Sequence, residues 1–177
     1  MAIQIGAKPD AGFDDPLGML KDCHRRIENF LRVLCTVAER AGTGALRSEE
    51  ADAVLAALHY FHVGGVRHNA DEEESLFPRL RRELALASID EISALESEHR
   101  TAGDLHDEVE RLYRVWMAND GLREGEAERL RATTRRLQTI YEGHIEVEET
   151  VVFPRAAEVL DRETLKAMGA EFRARRQ

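Results

Sequence analysis

His68-Asn69-Ala70-Asp71-Glu72-Glu73-Glu74-Ser75-Leu76-Phe77-Pro78-Arg79 returns in altered form as His144-Ile145-Glu146-Val147-Glu148-Glu149-Thr150-Val151-Val152-Phe153-Pro154-Arg155. Counted from the histidine, both stretches carry Glu at +4 and +5, Phe at +9, Pro at +10 and Arg at +11. A second match lies upstream: His24-Arg25 stands 44 residues before His68, and His99-Arg100 stands 45 before His144. The chain therefore reads as two copies of one helical hairpin. A pseudo-two-fold axis between them brings His24, His68, His99 and His144 to equal heights on four different helices.

The hydrophobic period around these motifs is 3.6 residues throughout, with no sustained alternation of the kind strands show. Asp14-Asp15 and Pro16 open the first helix, whose inner face is Leu17, Leu20, His24, Ile27, Leu31 and Leu34; Gly42-Thr43-Gly44 ends it. Ser48 and two glutamates open the second, with Val54, Leu55, Leu58, Phe61, Gly65, His68, Glu72, Leu76 and Leu80 inward. Ser88 with Glu91 is a capping box for the third, which runs through Leu95, His99, Ala102, His106, Val109 and Leu112 to Trp116. The fourth spans about Arg123 to Leu160, with Leu130, Leu137, Tyr141, His144, Glu148 and Val151 inward; a short fifth helix after Asp161 carries Leu165, Met168 and Phe172. The expected fold is all-α: an up-down-up-down four-helix bundle with a short C-terminal fifth helix. Residues 1–13 form an arm and 14–177 one domain.

Length and charge fit that picture. The 177 residues hold 25 Lys+Arg against 34 Asp+Glu, a net charge of −9, with 43% hydrophobic residues. That suits a single soluble domain, and a pI near 5.3 excludes the clustered basic surface a nucleic-acid binder needs. No apolar run reaches the roughly 20 residues of a membrane span, and the N-terminal stretch lacks a secretory core, so a cytoplasmic location is expected. Cys23 and Cys35, twelve residues apart on one helix, stand about 18 Å from each other and are expected as free thiols.

The chemistry lies in what the apolar stripes include. Residues i and i+4 share a helix face, so His68 with Glu72, and His144 with Glu148, point into the core beside His24 and His99. Two buried carboxylates are costly unless protonated, paired with cations or bound to metal, and no Lys or Arg stands on the stripes. Metal answers the problem with four imidazoles, two carboxylates and no thiolate. Six ligands exceed the four of a tetrahedral zinc. They suit two octahedral ions, each with two imidazoles, bridged by Glu72, Glu148 and an oxo or hydroxo group, leaving one position per ion open to O2, NO or peroxide.

With these motifs the chain resembles the hemerythrin-like, or HHE cation-binding, domain family from Asp14 to about Leu160. The resemblance implies a non-haem di-iron centre ligated by His24, His68, Glu72, His99, His144 and Glu148, and roles in handling or sensing oxygen, nitric oxide, peroxide or iron. Oxygen-carrying hemerythrins have His-x-x-x-His on the third helix, where this chain has Gly103, and His-x-x-x-x-Asp on the last, where it has His144-x-x-x-Glu148. The pattern is closer to bacterial hemerythrin-like proteins and to the metal-binding domain of iron-centre repair proteins of nitrosative stress. The expected function is binding, sensing or reduction of a small oxidant at two iron ions, reduction requiring a redox donor. Manganese and zinc remain alternatives as metals, and a metal- or redox-responsive module without turnover is the alternative function. Ferritin-like bundles use Glu-x-x-His instead.

The remaining signals have paired readings. Gly103 leaves room near an open metal position or permits close helix packing. His106 is expected as a core histidine bonded to a facing residue, with a proton relay as the alternative. Glu73 and Glu149, about 100° off the ligand face, are expected at the surface, with ligand orientation as the alternative. Pro78 and Pro154 bend or end their helices at matching heights.

Overall fold

In the computed structural model, residues 10–42, 44–83 and 87–177 are described, 87–89 by their backbone alone. Asp15 accepts the Gly18 backbone N–H at 2.9 Å and Pro16 takes the first turn, so α1 (Pro16–Ala38) starts where the sequence signals it. Past its end Gly42 and Gly44 adopt φ of 90° and 109°, a region glycine enters without a Cβ clash. The second helix, α2, spans residues 48–83. Ser48 is its first helical residue rather than its cap, and Glu50 takes the Arg47 backbone N–H at 3.0 Å instead. α3 is Ala87–Asn119, so the backbone of Ser88 is already helical, and the side chain of the expected cap lies outside what is described. α4 spans residues 124–159. α5 is Arg162–Ala174, capped by Asp161, which accepts from Thr164 N at 2.8 Å. No strand occurs among the described residues.

Both motif helices are interrupted by wider, π-helical turns: Asp71–Leu76 in α2 and Glu148–Val152 in α4, with a further one at Phe61–Gly65. Each of the first two runs directly into Phe-Pro. A helical proline lacks the N–H of its turn and crowds the carbonyl four residues back; for Pro78 and Pro154 those carbonyls belong to Glu74 and Thr150, inside the wide turns. The helices thus continue past their prolines, because the turns absorb the misfit. Such turns shift the helix phase, which corrects one expectation: Val151 is 45% exposed and Val152 is buried in its place. Leu55 is likewise 45% exposed, because Val54 and Leu58 already fill the narrow face that α2 turns inward.

The core is two apolar clusters with a polar layer between them. Ile27–Leu34 on α1, Val54–Phe61 on α2, Val109–Trp116 on α3 and Leu130–Ile145 on α4 contribute to one. Leu20, Leu76–Leu80, Ile92–Leu95 and Val152–Leu160 contribute to the other, with Met168 and Phe172 of α5. α1 and α3 run from the second cluster to the first, and α2 and α4 run back, so the topology is up-down-up-down. α1 packs on α2 and α4, and α3 on the same two, closing the ring. Each large side chain taken fully out of water stabilises the fold by about 1.5–3 kcal/mol. Tyr113 donates to the Leu34 carbonyl at 2.5 Å and Trp116 Nε1 to that of Gly44 at 2.8 Å, so their polar tips are satisfied.

α5 lies across the second cluster's end against the arm. A Cβ on Gly169 would stand 1.8 Å from the Phe13 carbonyl oxygen, and the Arg173 guanidinium lies 4.9 Å over the Phe13 ring. Only glycine allows that approach.

Candidate metal centre

The polar layer consists of the six residues singled out in the sequence. His24, His68, Glu72, His99, His144 and Glu148 are all buried, the two carboxylates completely. They form two overlapping groups whose donor atoms lie within 4.8 Å of one another: His24, His68, Glu72 and Glu148, and Glu72, His99, His144 and Glu148. Each hairpin supplies two imidazoles to one group, and the two carboxylates belong to both.

The carboxylates are turned so that each offers one oxygen to each side. Glu72 Oε1 lies 3.4 Å from His68 Nε2 and 3.9 Å from His24 Nε2, while its Oε2 lies 3.4 Å from His99 Nε2. Glu148 Oε2 faces His24 Nε2 at 3.1 Å, and Oε1 faces His144 Nε2 at 3.4 Å. None of the four oxygens, nor His24 Nε2, has the alignment of a hydrogen bond with any partner. An orphaned buried polar group costs about 1–3 kcal/mol, and more when charged. Converging acceptors without donors are what a cation between them would satisfy, so the donor set fits a metal site with nitrogen and oxygen ligands.

The outer faces of the imidazoles strengthen that fit. His24 Nδ1 donates to Glu149 Oε1 at 2.8 Å, His99 Nδ1 to Glu73 Oε1 at 2.7 Å, and His144 Nδ1 to Glu98 Oε2 at 2.9 Å. An ionised carboxylate only accepts, so the proton sits on Nδ1 and a neutral ring turns its Nε2 lone pair inward. His99 and His144 set two Nε2 atoms 3.0 Å apart, a contact that needs a proton on one of them or a cation beside both. Carboxylates stand in this way behind histidines that bind metal, and the geometry is compatible with such a site. The +5 glutamates and +9 phenylalanines of the motif therefore act across hairpins. Glu149 and Phe153 flank His24, Phe153 stacked at 5.4 Å; Glu73 and Phe77 flank His99, Phe77 stacked at 6.3 Å.

The surface reading of Glu73 and Glu149 gives way to ligand orientation for this reason: side chains long enough to reach sideways close on the neighbouring helix. Glu98 was not singled out at all. Its one signal is its place beside His99, which turns it toward α4.

Charges within the layer oppose one another. Burial, with the Glu148 charge, holds Glu72 well above the usual carboxylate range. Burial acts upward on Glu148 too, but His144 and His24 beside it outweigh that and hold it low. Burial pulls His68 well below the ordinary imidazole value. It pulls on His24 and His144 as well, yet the carboxylates raise both.

Beside the layer lies a cavity of about 130 Å³ lined by His99, Gly103, His106 and Tyr141, with Phe61 and Asn69 among the others. A Cβ on Gly103 would meet no atom within 4 Å, so close helix packing does not require the glycine; it opens the cavity. His106 is bonded as expected of a core histidine, its Nε2 3.1 Å from the Tyr141 hydroxyl. Burial lowers its pKa from 6.5 to about 4. The unfolded chain therefore takes up this proton first, and stability falls as pH drops from 6.5 to 4. At about 1.4 kcal/mol per pKa unit this reaches about 3 kcal/mol. In urea melts of metal-free protein, His106→Gln should flatten the acid limb by that amount; an unchanged limb would show that His106 is protonated in the fold.

Cys23 and Cys35 are free, as expected, and no helix among the described residues is long and apolar enough to cross a membrane.

Comparison with known proteins agrees with this geometry. An uncharacterized protein of Haemophilus influenzae is 27% identical over 172 residues, covering 94% of this chain and 93% of its own length. The family model for the hemerythrin HHE cation binding domain matches residues 15–171, from the cap of α1 to the last turns of α5. With both hairpins and the whole polar layer inside that match, the chain belongs to the hemerythrin HHE cation-binding domain family.

Proposed function

We propose that this is a non-haem di-iron protein that binds, senses or reduces a small oxidant: O2, NO or H2O2. His24 and His68 serve one ion and His99 and His144 the other, with Glu72 and Glu148 shared. When bound, the iron pair with its bridging oxo or hydroxo group supplies the redox chemistry and a coordination position for the oxidant. The observation that carries the reading is a six-donor cluster meeting a cavity of about 130 Å³. That is well below the roughly 300–1,000 Å³ of pockets for larger ligands. The residues around it divide the work: carboxylates hold three of the four imidazoles by Nδ1, the apolar clusters exclude bulk water, and Gly103 keeps the approach open.

Iron-loaded protein prepared without oxygen should change its optical spectrum on adding O2 or NO. Gly103→Leu tests the route. It should keep the iron content and gain up to about 1 kcal/mol from helix propensity, yet slow the spectral response, because its side chain would stand in the cavity that His99 lines. An unchanged response in this variant, or an inert spectrum in the parent, contradicts the reading.

One observation favours the second reading, a responsive module without turnover. Asp71, next to Glu72 and fully buried, accepts from Arg175 at 2.9 Å and Arg176 at 2.6 Å at the end of α5, and Arg79 pairs with Glu171 at 2.7 Å. The turn that carries Glu72 is thereby latched to the C-terminal helix, a route by which occupancy would reach the surface. A partner that binds only one metal state would support this role; catalytic oxidant consumption lost in His68→Ala would support the first.

A further inference from the structure

The two hairpins match in their six inward donors and in the +5 glutamate and +9 phenylalanine that flank them, but not in one outer contact to an imidazole. Glu98 precedes His99 and holds His144 through Nδ1. At the equivalent position, immediately before His24, stands Cys23, a buried free thiol. Its counterpart to His144 is His68, and His68 Nδ1 is buried with no hydrogen-bond partner. The difference is therefore local: the His99/His144 pair is braced by two carboxylates, Glu73 and Glu98, and the His24/His68 pair by Glu149 alone.

The inner donors do not distinguish the halves, since Glu72 and Glu148 give one oxygen to each. What differs is how firmly the imidazoles are aimed and how basic their Nε2 atoms are. A carboxylate on Nδ1 fixes ring and tautomer and raises donor strength, and losing such a partner costs about 10–100-fold in metal affinity. His68 has neither restraint. His99 also lines the cavity, which none of His24, His68 and His144 does.

We propose that the metal positions are unequal by construction. The His99/His144 position, on the cavity side, is the tighter and fills first; the His24/His68 position is the weaker and exchanges its metal, because Cys23 replaces a carboxylate. Glu98 is a positioning residue acting through His144. This rests on the two-ion reading above.

The test is titration of metal-free protein with Co(II) under nitrogen, followed by its visible bands and by calorimetry. Two steps are expected, separated by about 10–100-fold. Glu98→Ala should weaken the tighter step by about that factor, leave the other within about threefold, and merge the two. Glu98→Gln keeps a neutral acceptor on Nδ1 and should lose less, and Cys23→Ala should move neither step. Glu98 is 45% exposed, so the melting temperature of the metal-free variants should stay at the parent's, as a merely structural role would not allow. Two equal steps, or both steps weakened alike by Glu98→Ala, overturn the inequality and leave the two-ion reading standing. Fewer than two ions overturn both, while two unequal steps in a protein inert to O2 and NO uphold the inequality and remove the oxidant reading.

Discussion

Stripping the metal should lower the melting temperature by about 15–30 °C. A ligand that binds only the folded state stabilises it by about 4 kcal/mol at a thousandfold excess over its dissociation constant. Two ions then contribute about 8 kcal/mol, and each kcal/mol moves the midpoint of a domain this size by about 2–4 °C. The effect should be this large because the folded chain has already gathered its acceptors: four carboxylate oxygens and His24 Nε2 are buried without hydrogen bonds. The pH dependence separates this from unspecific metal stabilisation. In the metal-free chain Glu72, His24 and His144 have raised pKa values. Groups raised in the fold contribute stability that is lost as pH rises through their folded values. Above pH 6.5, where His68 and His106 are neutral in the fold and increasingly so in the unfolded chain, the raised groups dominate and the metal-free melting temperature should therefore fall with pH. Metal binding displaces those same protons and strengthens with pH. The gap between loaded and stripped protein should widen from pH 6.5 to 8 in calorimetric scans. A gap that is absent, or that narrows over this range, counts against metal in the layer.

The second large effect is expected at the C-terminal latch. Replacing Arg175 and Arg176 together by Ala leaves the Asp71 carboxylate buried without its cations. Breaking a buried pair from one side costs about 3–5 kcal/mol. The arginines are only 19% and 22% exposed, so solvent does little to replace them. Ser75 loses an Arg175 contact at 2.8 Å as well. Denaturant melts should show the loss, and adding Asp71→Asn should recover most of it by removing the stranded charge. If the double Arg variant melts like the parent, α5 is an ornament on the bundle. If the loss appears and metal affinity falls with it, Asp71 also aims its neighbour Glu72.

The fold was legible because the hydrophobic period is long and the hairpin is repeated. Asp15, Pro16 and Asp161 do locally what such residues do at any helix start. The face of Val151 escapes a 3.6-residue wheel because the wheel assumes constant phase, and that of Leu55 because the wheel does not say how narrow the buried face is. The Phe-Pro steps were visible, but that they are relieved by wide turns upstream is settled by packing, not by local preference. The same limit applies to the centre. The six inward residues lie on stripes, so helical geometry alone gathers them. The outer carboxylates do not: Glu73 and Glu149 reach to the opposite hairpin, and Glu98 to the next helix. Those contacts depend on how helices are spaced and rotated against each other. Asp71 escaped notice for a similar reason, since its partners lie more than 100 residues away.

Metal content tests the central claim most directly. Protein from iron-rich medium, or reconstituted with Fe(II) under nitrogen and freed of loose metal, should hold two iron ions per chain, and Glu148→Ala, which removes a ligand shared by both positions, should hold less than one. A parent chain with one ion or none, or a Glu148→Ala variant that keeps two, would contradict a dinuclear centre built on Glu72 and Glu148.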